Sequence, residues 1–251
     1  MNKKSNQELV CGLNVVSEII KIRPRSVQNL FIGGSKKERF KSVLERAEKE
    51  GITINEKGKD FFEENFKDVN HQNIALSCNK RSEETEVFLE KLIDKKELRL
   101  LILDGISDPH NLGACLRSAA AASVDAVIVP KNRSCHLTPT VRRISSGASE
   151  LIPFVIVTNL VRTIDLLRRN GVRVYGSDLE DSQAYDEVIY ESKLALIIGS
   201  EGKGIRRLTR ENCDELITIR MSEKVESLNA SVSTGIMLFE IVRQNNLNLI
   251  D

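Results

Sequence analysis

The 251-residue chain contains no tryptophan, and aromatic residues make up only 4% of it. A protein that holds single-stranded nucleic acid by stacking needs a row of aromatic side chains, and this chain has too few of them for an extended platform. No apolar run approaches the roughly 20 residues that a membrane-spanning helix requires. The amino terminus, MNKKSNQELV, also lacks a signal-peptide core. We therefore expect a cytoplasmic protein that does not act on a membrane.

Cysteine and histidine are too few and too scattered to indicate a metal site. The three histidines lack metal-ligand spacing, and no two of the five cysteines form a Cys-x-x-Cys pair. An odd number of cysteines argues against a disulfide scaffold and fits reduced thiols in the cytosol. The sequence therefore predicts no metal. The residues concerned are His71, His110, His136, Cys11, Cys78, Cys115, Cys135 and Cys213.

Neither sign of charge is in excess, because 37 Lys and Arg stand against 36 Asp and Glu. The global balance thus predicts no particular partner. Residues 1–80 are more basic, with 15 Lys and Arg against 11 Asp and Glu. This local excess favours a polyanion, although a solvated surface of mixed charge looks the same.

Residues 1–80 read as a small α/β unit. Apolar spacing predicts a helix over 10–22, a strand over Val27 to Ile32 and an amphipathic helix over Lys36 to Glu50. A strand around Ile52 and Ile54, a helix over Asp60 to Phe66 and a strand over Asn73 to Ser77 follow. The highly charged stretch 81–97 is expected to be a linker, with Val87, Phe88, Leu89 and Leu92 on the apolar side of a short helix.

From residue 98 onward, short and nearly continuous apolar runs alternate with helical stretches. Strands that are apolar on both faces indicate a parallel sheet covered by helices on both sides. Such sheets bind ligands at the carboxyl ends of their strands, so we expect the chemistry in the loops after Leu103, Ile198 and Ile219. The predicted strands are Leu100 to Leu103, Ala126 to Val129, Phe154 to Val157, Val172 to Gly176, Ala195 to Ile198 and Leu216 to Ile219.

The first of these loops, DGISDPHNLGACLRSAAAA, runs from Asp104 to Ala122. Pro109 and Asn111 end the strand and begin a helix, and small residues keep that helix slim. Arg117 lies six positions after Asn111 and could point back toward the amino-terminal end of the helix. It could equally be a solvated helix arginine.

The second loop, LALIIGSEGKGI, carries Gly199, Gly202 and Gly204, which permit positive φ and close approach of a ligand. It is neither a Walker A loop nor a G-x-G-x-x-G fingerprint, and by itself could be only a tight turn. The third loop leads into a helix that has small residues in its first turns. Its sequence is MSEKVESLNASVSTGIMLFE. Close backbone approach and free N–H groups suit a binding corner, but a capped core helix would have the same pattern.

The three segments follow one another as NLGACLR, IIGSEGKG, and TIRM with SLNASVSTGI. In this order they resemble the motifs of the TrmH/SpoU-type RNA ribose 2′-O-methyltransferases of the SPOUT superfamily. The stretches RRLTRENCDEL and LTPTVRRISSGASELIPF are most similar to members that methylate a guanosine ribose of bacterial 23S rRNA, in the P-loop region of the peptidyl-transferase centre. CGLNVVSEII extends the resemblance into the amino-terminal unit, so that it spans nearly the whole chain.

The resemblance implies features that periodicity does not predict. Residues 98–251 are expected to form an α/β-knot domain with a trefoil knot, and residues 1–80 an L30e-like domain that binds the RNA substrate. S-adenosyl-L-methionine is the implied methyl donor. The family also implies a homodimer in which the last helix, Val232 to Arg243, packs against its partner. As an alternative, Ile236, Leu238 and Phe239 could be core of a single chain.

The resemblance also assigns site residues, position by position. Gly199, Ile219 and Leu228, with Met221 nearby, match positions that hold the cofactor through backbone groups. The residues themselves agree, because apolar side chains suit the flat adenine while backbone N–H and C=O groups can read its edges. The matching polar positions, expected to act in catalysis or to orient the reacting groups, are Arg117, Asn111, Glu201, Ser227 and Asn229.

Two of these polar residues have more than one interpretation. Arg117 matches the arginine proposed in the family as general base, but a guanidinium resists deprotonation. As a cation, Arg117 could instead hold a phosphate beside the target ribose and stabilise a developing alkoxide. Glu201 could cap a helix or pair with Arg206 or Arg207 rather than serve the reaction.

Three positions depart from the expected pattern. Arg220 stands where a proline is expected, which could loosen the strand before it and disturb the backbone of Ile219. Glu223 replaces a more usual glycine in the turn after Met221. Ala230 replaces a valine, a milder change. Because every polar motif side chain is present, we expect activity to survive.

Other functions remain open at this stage. A non-catalytic RNA-binding assembly factor would be expected to have lost Arg117, Asn111 or Glu201, all of which are present. A tRNA methyltransferase of the same family would often lack the amino-terminal unit. A nucleotide-dependent dehydrogenase would need G-x-G-x-x-G where the chain has SDPHNLG. Candidates for contact with RNA phosphates are Lys21, Arg23, Arg25, Lys36, Lys37, Arg142 and Arg143.

Overall fold

The computed structural model describes residues 7–34, 37–67, 69–222 and 224–247. The chain forms two compact units. The first contains the residues up to Ser82 together with Ser146–Leu151, and the second contains Glu83–Ser145 and the chain from Ile152 onward. The first unit is therefore built from two separate segments of sequence.

The sheet of the first unit has the strand order β1-β4-β2-β3. Strand β4 runs antiparallel to both of its neighbours, and β2 and β3 are parallel. Two helices cover one face of this sheet and a third covers the other. The elements are β1 (Gln7–Cys11), α1 (Leu13–Ile22), β2 (Val27–Ile32), α2 (Lys41–Lys49), β3 (Thr53–Glu56), α3 (Lys59–Asn65) and β4 (Ile74–Asn79).

The predicted elements of this unit are found, with two differences at their starts. The helix predicted from Lys36 begins only at Lys41, because a 3-10 turn (Lys37–Phe40) precedes it, and Lys36 itself lies outside the described residues. Val15, Val16, Ile19 and Ile20 do form the buried stripe of α1. The predicted helix began at residue 10, however, whereas β1 occupies residues up to Cys11. The change of direction falls at Gly12, whose φ of 100° lies in the region that favours glycine.

The stretch expected to be a linker, 81–97, is part of the second unit from Glu83 onward. Strand β5 (Glu84–Thr85) pairs with a strand over Phe154–Val157, and α4 (Glu86–Glu90) follows it. Leu89 and Leu92 are buried in the core of that unit. The apolar side of this short helix covers the sheet, which is why the charged stretch is ordered.

The second unit contains an eight-stranded sheet in which every neighbouring pair is parallel. The strand order is β10-β12-β9-β11-β6-β7-β8-β5. The α/β class and the parallel sheet predicted from the apolar runs are confirmed. Its remaining strands are β6 (Leu98–Asp104), β7 (Ala126–Pro130), β8 (Phe154–Val157), β9 (Arg173–Ser177), β10 (Gln183–Ala184), β11 (Lys193–Gly199) and β12 (Glu215–Thr218).

Helices cover both faces of this sheet. Along β6, Leu101 and Leu103 face one core while Leu100 and Ile102 face the other, because side chains alternate along a strand. Gly113 allows α5 to lie close to α6, since a Cβ there would come within 2.7 Å of Ile144. The helices of this unit are α5 (Pro109–Ala121), α6 (Pro139–Ile144), α8 (Leu160–Arg169), α9 (Arg207–Arg210) and α10 (Ala230–Leu247).

The segment Ser146–Leu151 is bound into the first unit by buried polar contacts. It contains the short helix α7 (Ala148–Leu151). The carboxylate of Glu150 is fully buried and accepts from Nε of Arg23 at 2.9 Å. Burial lowers the pKa of Arg23, but the attraction of Glu150 and its neighbours outweighs this and leaves the pKa raised. Arg23, a candidate for phosphate binding, is thus engaged inside the unit.

Among the described residues, no helix combines the length and the apolarity that a membrane span requires.

The ion pair between Arg23 and Glu150 yields a test of this arrangement. We expect Glu150→Ala to lower the free energy of unfolding by about 3 kcal/mol, because it leaves a largely buried guanidinium short of its partner. Thermal and urea unfolding monitored by circular dichroism measure the change. Glu63→Ala removes the exposed pair with Lys59 and should leave the midpoint unchanged. Equal midpoints for both variants would contradict the assignment.

Candidate functional site

Three loops at the carboxyl edge of the large sheet are joined by one carboxylate. Oε1 of Glu201, in the loop after β11, accepts from Nδ2 of Asn111 at 2.8 Å and also from Nδ2 of Asn229. It accepts as well from the backbone N–H of Ala230 at 3.3 Å, at the start of α10. Nδ2 of Asn229 further donates to Oδ1 of Asn111 at 2.9 Å. We call Asn111, Glu201 and Asn229 the polar cluster.

The amino-terminal ends of two helices hold the asparagines of the polar cluster. Asp108 caps α5 and accepts from the backbone N–H groups of His110 and Asn111 at 3.1 and 3.3 Å. Oδ1 of Asn229 accepts from N and Oγ of Ser231 at 2.9 and 2.6 Å. Both asparagines therefore sit where helix N–H groups and the helix dipole favour a negative charge, which the carboxylate of Glu201 supplies.

Neither of the arginines considered as partners of Glu201 pairs with it. Arg207 binds Glu211 at 2.6 Å, and Arg206 binds Asp104. The alternative that Glu201 caps a helix is partly correct, because its carboxylate accepts from the backbone N–H of Ala230 at the start of α10. The polar cluster therefore leaves the charge of Glu201 without a cationic partner among the described residues.

The sequence reasoning missed the contact that fixes the loop of Glu201. Asp104, fully buried at the end of β6, accepts from Nε of Arg206 at 2.6 Å and from its backbone N–H at 3.1 Å. The end of the glycine-rich loop is thereby tied to the neighbouring strand. The signal was available in the sequence, since an aspartate directly after four apolar positions of a buried strand requires a partner.

The glycine-rich loop closes on itself immediately after β11. Ser200 and Gly204 exchange backbone hydrogen bonds of 3.1 and 2.9 Å. Gly199 lies beneath this turn, and a Cβ there would stand 2.1 Å from the carbonyl carbon of Gly204. Glycine is therefore required at position 199 by the close approach of two backbone segments.

A cavity of about 600 Å³ opens beside the polar cluster. Glu201 and Ala230 belong to its wall, together with all four residues matched to cofactor binding: Gly199, Ile219, Met221 and Leu228. Ser227 also lines it and is exposed. The loop after β9 also supplies part of the wall, which sequence reasoning did not anticipate. Its lining residues include Asp178 and Glu180.

Arg117 is separate from this cavity. It lies on α5, exposed to solvent, and its side chain makes no hydrogen bond or ion pair with the residues that the structure describes. Its helix packs against α10 through neighbouring positions, where Sγ of Cys115 meets Oγ1 of Thr234 at 3.4 Å. Burial raises the pKa of the Cys115 thiol to about 11, so this thiol stays neutral and serves packing.

The positions that depart from the family pattern are accommodated where they can be described. Arg220 forms an exposed ion pair with Glu187 at 2.7 Å. Ahead of it, the carbonyl of Thr218 still accepts from the backbone N–H of Tyr185 at 2.9 Å. Ala230 is buried and donates to the polar cluster. Glu223 lies outside the described residues.

The candidates for phosphate binding differ in their surroundings. Arg142 is 97% buried within α6, so the expectation of a surface phosphate contact is wrong for it. The guanidinium is too far from solvent to meet a phosphate. Lys21 pairs weakly with Glu18 at 3.6 Å, Arg25 is exposed and Arg143 is half-buried. Lys36 and the side chain of Lys37 lie outside the described residues.

Two sequence profiles of known families match the chain. That of the SpoU rRNA Methylase family matches residues 98–239. A second profile, described as RNA 2′-O ribose methyltransferase substrate binding, matches residues 9–84. The two matches together cover most of the chain.

Similar proteins match over nearly their full length. The 23S rRNA (guanosine-2′-O-)-methyltransferase RlmB of Pectobacterium atrosepticum is 42% identical over 243 residues, covering 94% of this chain and 98% of the relative. RlmB of Escherichia coli K12 is also 42% identical, over 95% of this chain and 99% of the relative. An AdoMet-bound rRNA methyltransferase from Sinorhizobium meliloti has the same fold, with a TM-score of 0.79 at 23% identity over 96% of this chain and 88% of that one.

The turn over Gly199 can be tested by adding a single methyl group. We expect Gly199→Ala to lower the free energy of unfolding by about 3 kcal/mol, because the Cβ would overlap the backbone of Gly204. Chemical denaturation measures the change. Gly58→Ala is the matched control, since nothing lies within 4 Å of a Cβ there. A Gly199→Ala variant as stable as the control would show that the turn is not so tightly closed.

Proposed function

Because the chain belongs to the SpoU rRNA methylase family, we propose that it transfers a methyl group from S-adenosyl-L-methionine to the ribose 2′-oxygen of a guanosine in 23S rRNA. The match to relatives with that activity extends across both units. An enzyme with this substrate works where ribosomes are assembled, so the proposed location is the cytoplasm.

The observation that carries the proposal is the polar cluster at the wall of the cavity. Glu201 brings Asn111 and Asn229 together from three separate loops. Ligands of parallel α/β sheets bind at this edge. A binding cavity beside a set of oriented polar side chains is the arrangement that a group-transfer reaction needs.

The cavity suits S-adenosyl-L-methionine in size and in chemistry. Its volume lies within the range of small-molecule sites. Ile219, Met221 and Leu228 provide apolar surface for a flat adenine, and the backbone from Gly199 to Gly204 provides hydrogen-bonding groups. The wall carries charged side chains of both signs, and Asp178 there is paired with Arg210 at 3.3 Å.

When bound, this cofactor supplies a methyl group on a positively charged sulfur. The attacking ribose oxygen must lose its proton and align opposite the sulfur, and alignment alone can contribute several kcal/mol. We assign the orienting role to Asn111, Glu201 and Asn229, whose positions are mutually fixed by hydrogen bonds. Ser227, exposed at the cavity wall, is assigned a contact with cofactor or ribose.

Arg117 is assigned an electrostatic role rather than that of general base. Its exposed guanidinium has no anionic partner among the described residues, and a solvated guanidinium keeps its proton. A phosphate next to the target ribose would supply the missing anion and receive two parallel hydrogen bonds. The same cation would stabilise negative charge that develops on the ribose oxygen.

The homodimer and the trefoil knot also belong to the proposal. Val232, Ile236 and Phe239 are spaced along one side of α10, and Val232 and Phe239 are about half exposed. Leu238 faces the intrachain core instead, fully buried. An apolar side left open on a helix whose other side is buried suits a partner copy of the chain.

Methyl transfer from labelled S-adenosyl-L-methionine to unmodified 23S rRNA tests the reaction. We expect Arg117→Ala to lower kcat by about 100-fold, the effect of removing one group that stabilises charge in the transition state. Cofactor affinity, measured by calorimetry, should not change, because Arg117 does not line the cavity. Arg117→Lys keeps the charge and should retain part of the rate.

The control is Arg169→Ala, which removes an exposed arginine paired with Asp165 and should leave kcat unchanged. If the label appears on tRNA but not on rRNA, the substrate is tRNA, and the proposed reaction, 2′-O-methylation of a ribose, still holds. A wild-type protein that binds RNA but neither binds the cofactor nor transfers a methyl group would favour the non-catalytic assembly factor.

The dimer is tested by one charge on the open side of α10. We expect Phe239→Glu to convert the protein to monomers in analytical ultracentrifugation, because a carboxylate cannot be buried there without a partner. Ile189→Glu changes another exposed apolar side chain and should leave the protein a dimer in the same experiment. A monomeric wild type, or a dimeric Phe239→Glu, would contradict this interface.

A further inference from the structure

Cations at the amino edge of the large sheet are mostly neutralised by neighbouring acids. Arg168 binds Asp214 at 2.8 Å, and Arg173 binds Glu215 at 2.6 Å. Lys95 binds Asp125, also at 2.6 Å. Basic residues at this end of the unit therefore stabilise the connections between strands.

At the carboxyl edge, the loops after β7 and β8 carry cations of a different kind. Lys131 and Arg133 follow β7, and Arg162 lies in the first turn of α8, after β8. All three side chains are exposed and form no ion pair with the described residues. We call these three residues the basic row.

The acids near the basic row are already engaged by backbone N–H groups. Oε1 of Glu83 accepts from Leu137 at 3.3 Å, and Oε1 of Glu86 accepts from Thr158 at 2.8 Å. Asp108 caps α5. These carboxylates hold the loops in place and form no ion pair with the basic row, which leaves its cations available to an external anion.

The loop after β7 is fixed by its backbone and not by its basic side chains. The N–H of Lys131 donates to Val157 at 2.9 Å, and that of Cys135 donates to Ile106 at 2.8 Å. Between them, Arg133 has φ of 61°, a conformation that costs energy for a residue with a side chain. The strained turn thus holds a cation at the surface, although its side chain makes no hydrogen bond or ion pair with another described residue.

The basic row continues from the polar cluster along the sheet edge. The strand order here is β11-β6-β7-β8, and neighbouring strands lie about 4.8 Å apart, so the edge from Glu201 to Arg162 extends over about 14 Å. A cation from each of two successive loops along such an edge matches an extended chain of negative charges rather than a single small anion.

We propose that Lys131, Arg133 and Arg162 bind phosphates of the RNA strand that continues from the target ribose. This inference rests on the proposed function and adds the direction in which the RNA leaves the site. The partner is a polyanionic strand, held by charge and by bidentate arginine contacts, without readout of its bases. The contacts raise affinity for RNA and take no part in the transfer step.

The test uses the full chain carrying Lys131→Ala and Arg133→Gly. Glycine at 133 removes the cation and tolerates the positive φ, so the fold should be retained. Binding to a transcribed fragment of 23S rRNA is measured by filter binding at several salt concentrations, without cofactor. We expect Kd to rise about 10-fold or more and the slope of log Kd against log salt to fall by about 1.4–1.8 for two lost phosphate contacts. The KM for RNA should rise while kcat at saturating RNA stays the same.

The matched control is Lys91→Ala with Lys96→Ala, which removes two exposed lysines away from this edge and should alter neither Kd nor slope. An unchanged slope in the 131/133 variant overturns the basic row, as does a fall in kcat at saturating RNA. Failure of wild type to transfer methyl groups would contradict the proposed function alone, because the slope is read without cofactor. Absence of RNA binding by wild type would overturn both.

Discussion

One oxygen atom, Oε1 of Glu201, organises the candidate site by accepting donors from two other loops. Asn111 is 90 positions away along the chain and Asn229 is 28 away. A hydrogen bond to a charged acceptor contributes about 1.5–3 kcal/mol when it is shielded from water. Because Glu201 is exposed, each of its hydrogen bonds contributes less than this, and the position of its carboxylate depends on several bonds acting together. The bonds require Glu201 to stay where it is, and that depends on two features underneath: the closed turn over Gly199 and the buried carboxylate of Asp104 holding Arg206.

In the proposed mechanism, the site separates cofactor binding from charge stabilisation. The loops after β9, β11 and β12 supply most of the cavity wall, in which apolar side chains alternate with polar and charged ones. Arg117 stands apart on α5, uncommitted to any described residue. In that mechanism, the cofactor and the cation of Arg117 approach the reacting atoms from different elements of the fold. The parallel sheet makes it possible, since all of these loops leave the same edge and a slim α5 can lie against both α6 and α10.

The repetition of apolar runs is enough to predict the large sheet, because strands buried on both faces leave a strong signal in sequence. Strands of two residues such as Glu84–Thr85 and Gln183–Ala184 leave none, since no period can be read from so short a stretch. The positions of the site loops can be predicted from the ends of the strands. The individual side chains that act in these loops can be predicted only from the family motifs. The phosphate-binding residues were harder to predict than the fold. Nothing in the local sequence distinguishes Arg23 and Arg142, which are engaged inside the protein, from Arg133, which is exposed. Pairing depends on residues far away in the chain.

The inclusion of Ser146–Leu151 in the first unit has a consequence for synthesis. Arg23 and Glu150 are separated by 127 positions, and a ribosome adds about 5–20 residues per second. Within the amino-terminal unit, Glu150, the nearer of two carboxylates that pair with Arg23, is therefore synthesised roughly 6–25 seconds after Arg23. During that interval the sheet of the unit can form, but Arg23 has only Glu8 as a carboxylate partner. A nascent chain halted before residue 150 would carry an unfinished domain, and a gene fusion that transplants the first 82 residues alone would transplant that unfinished state.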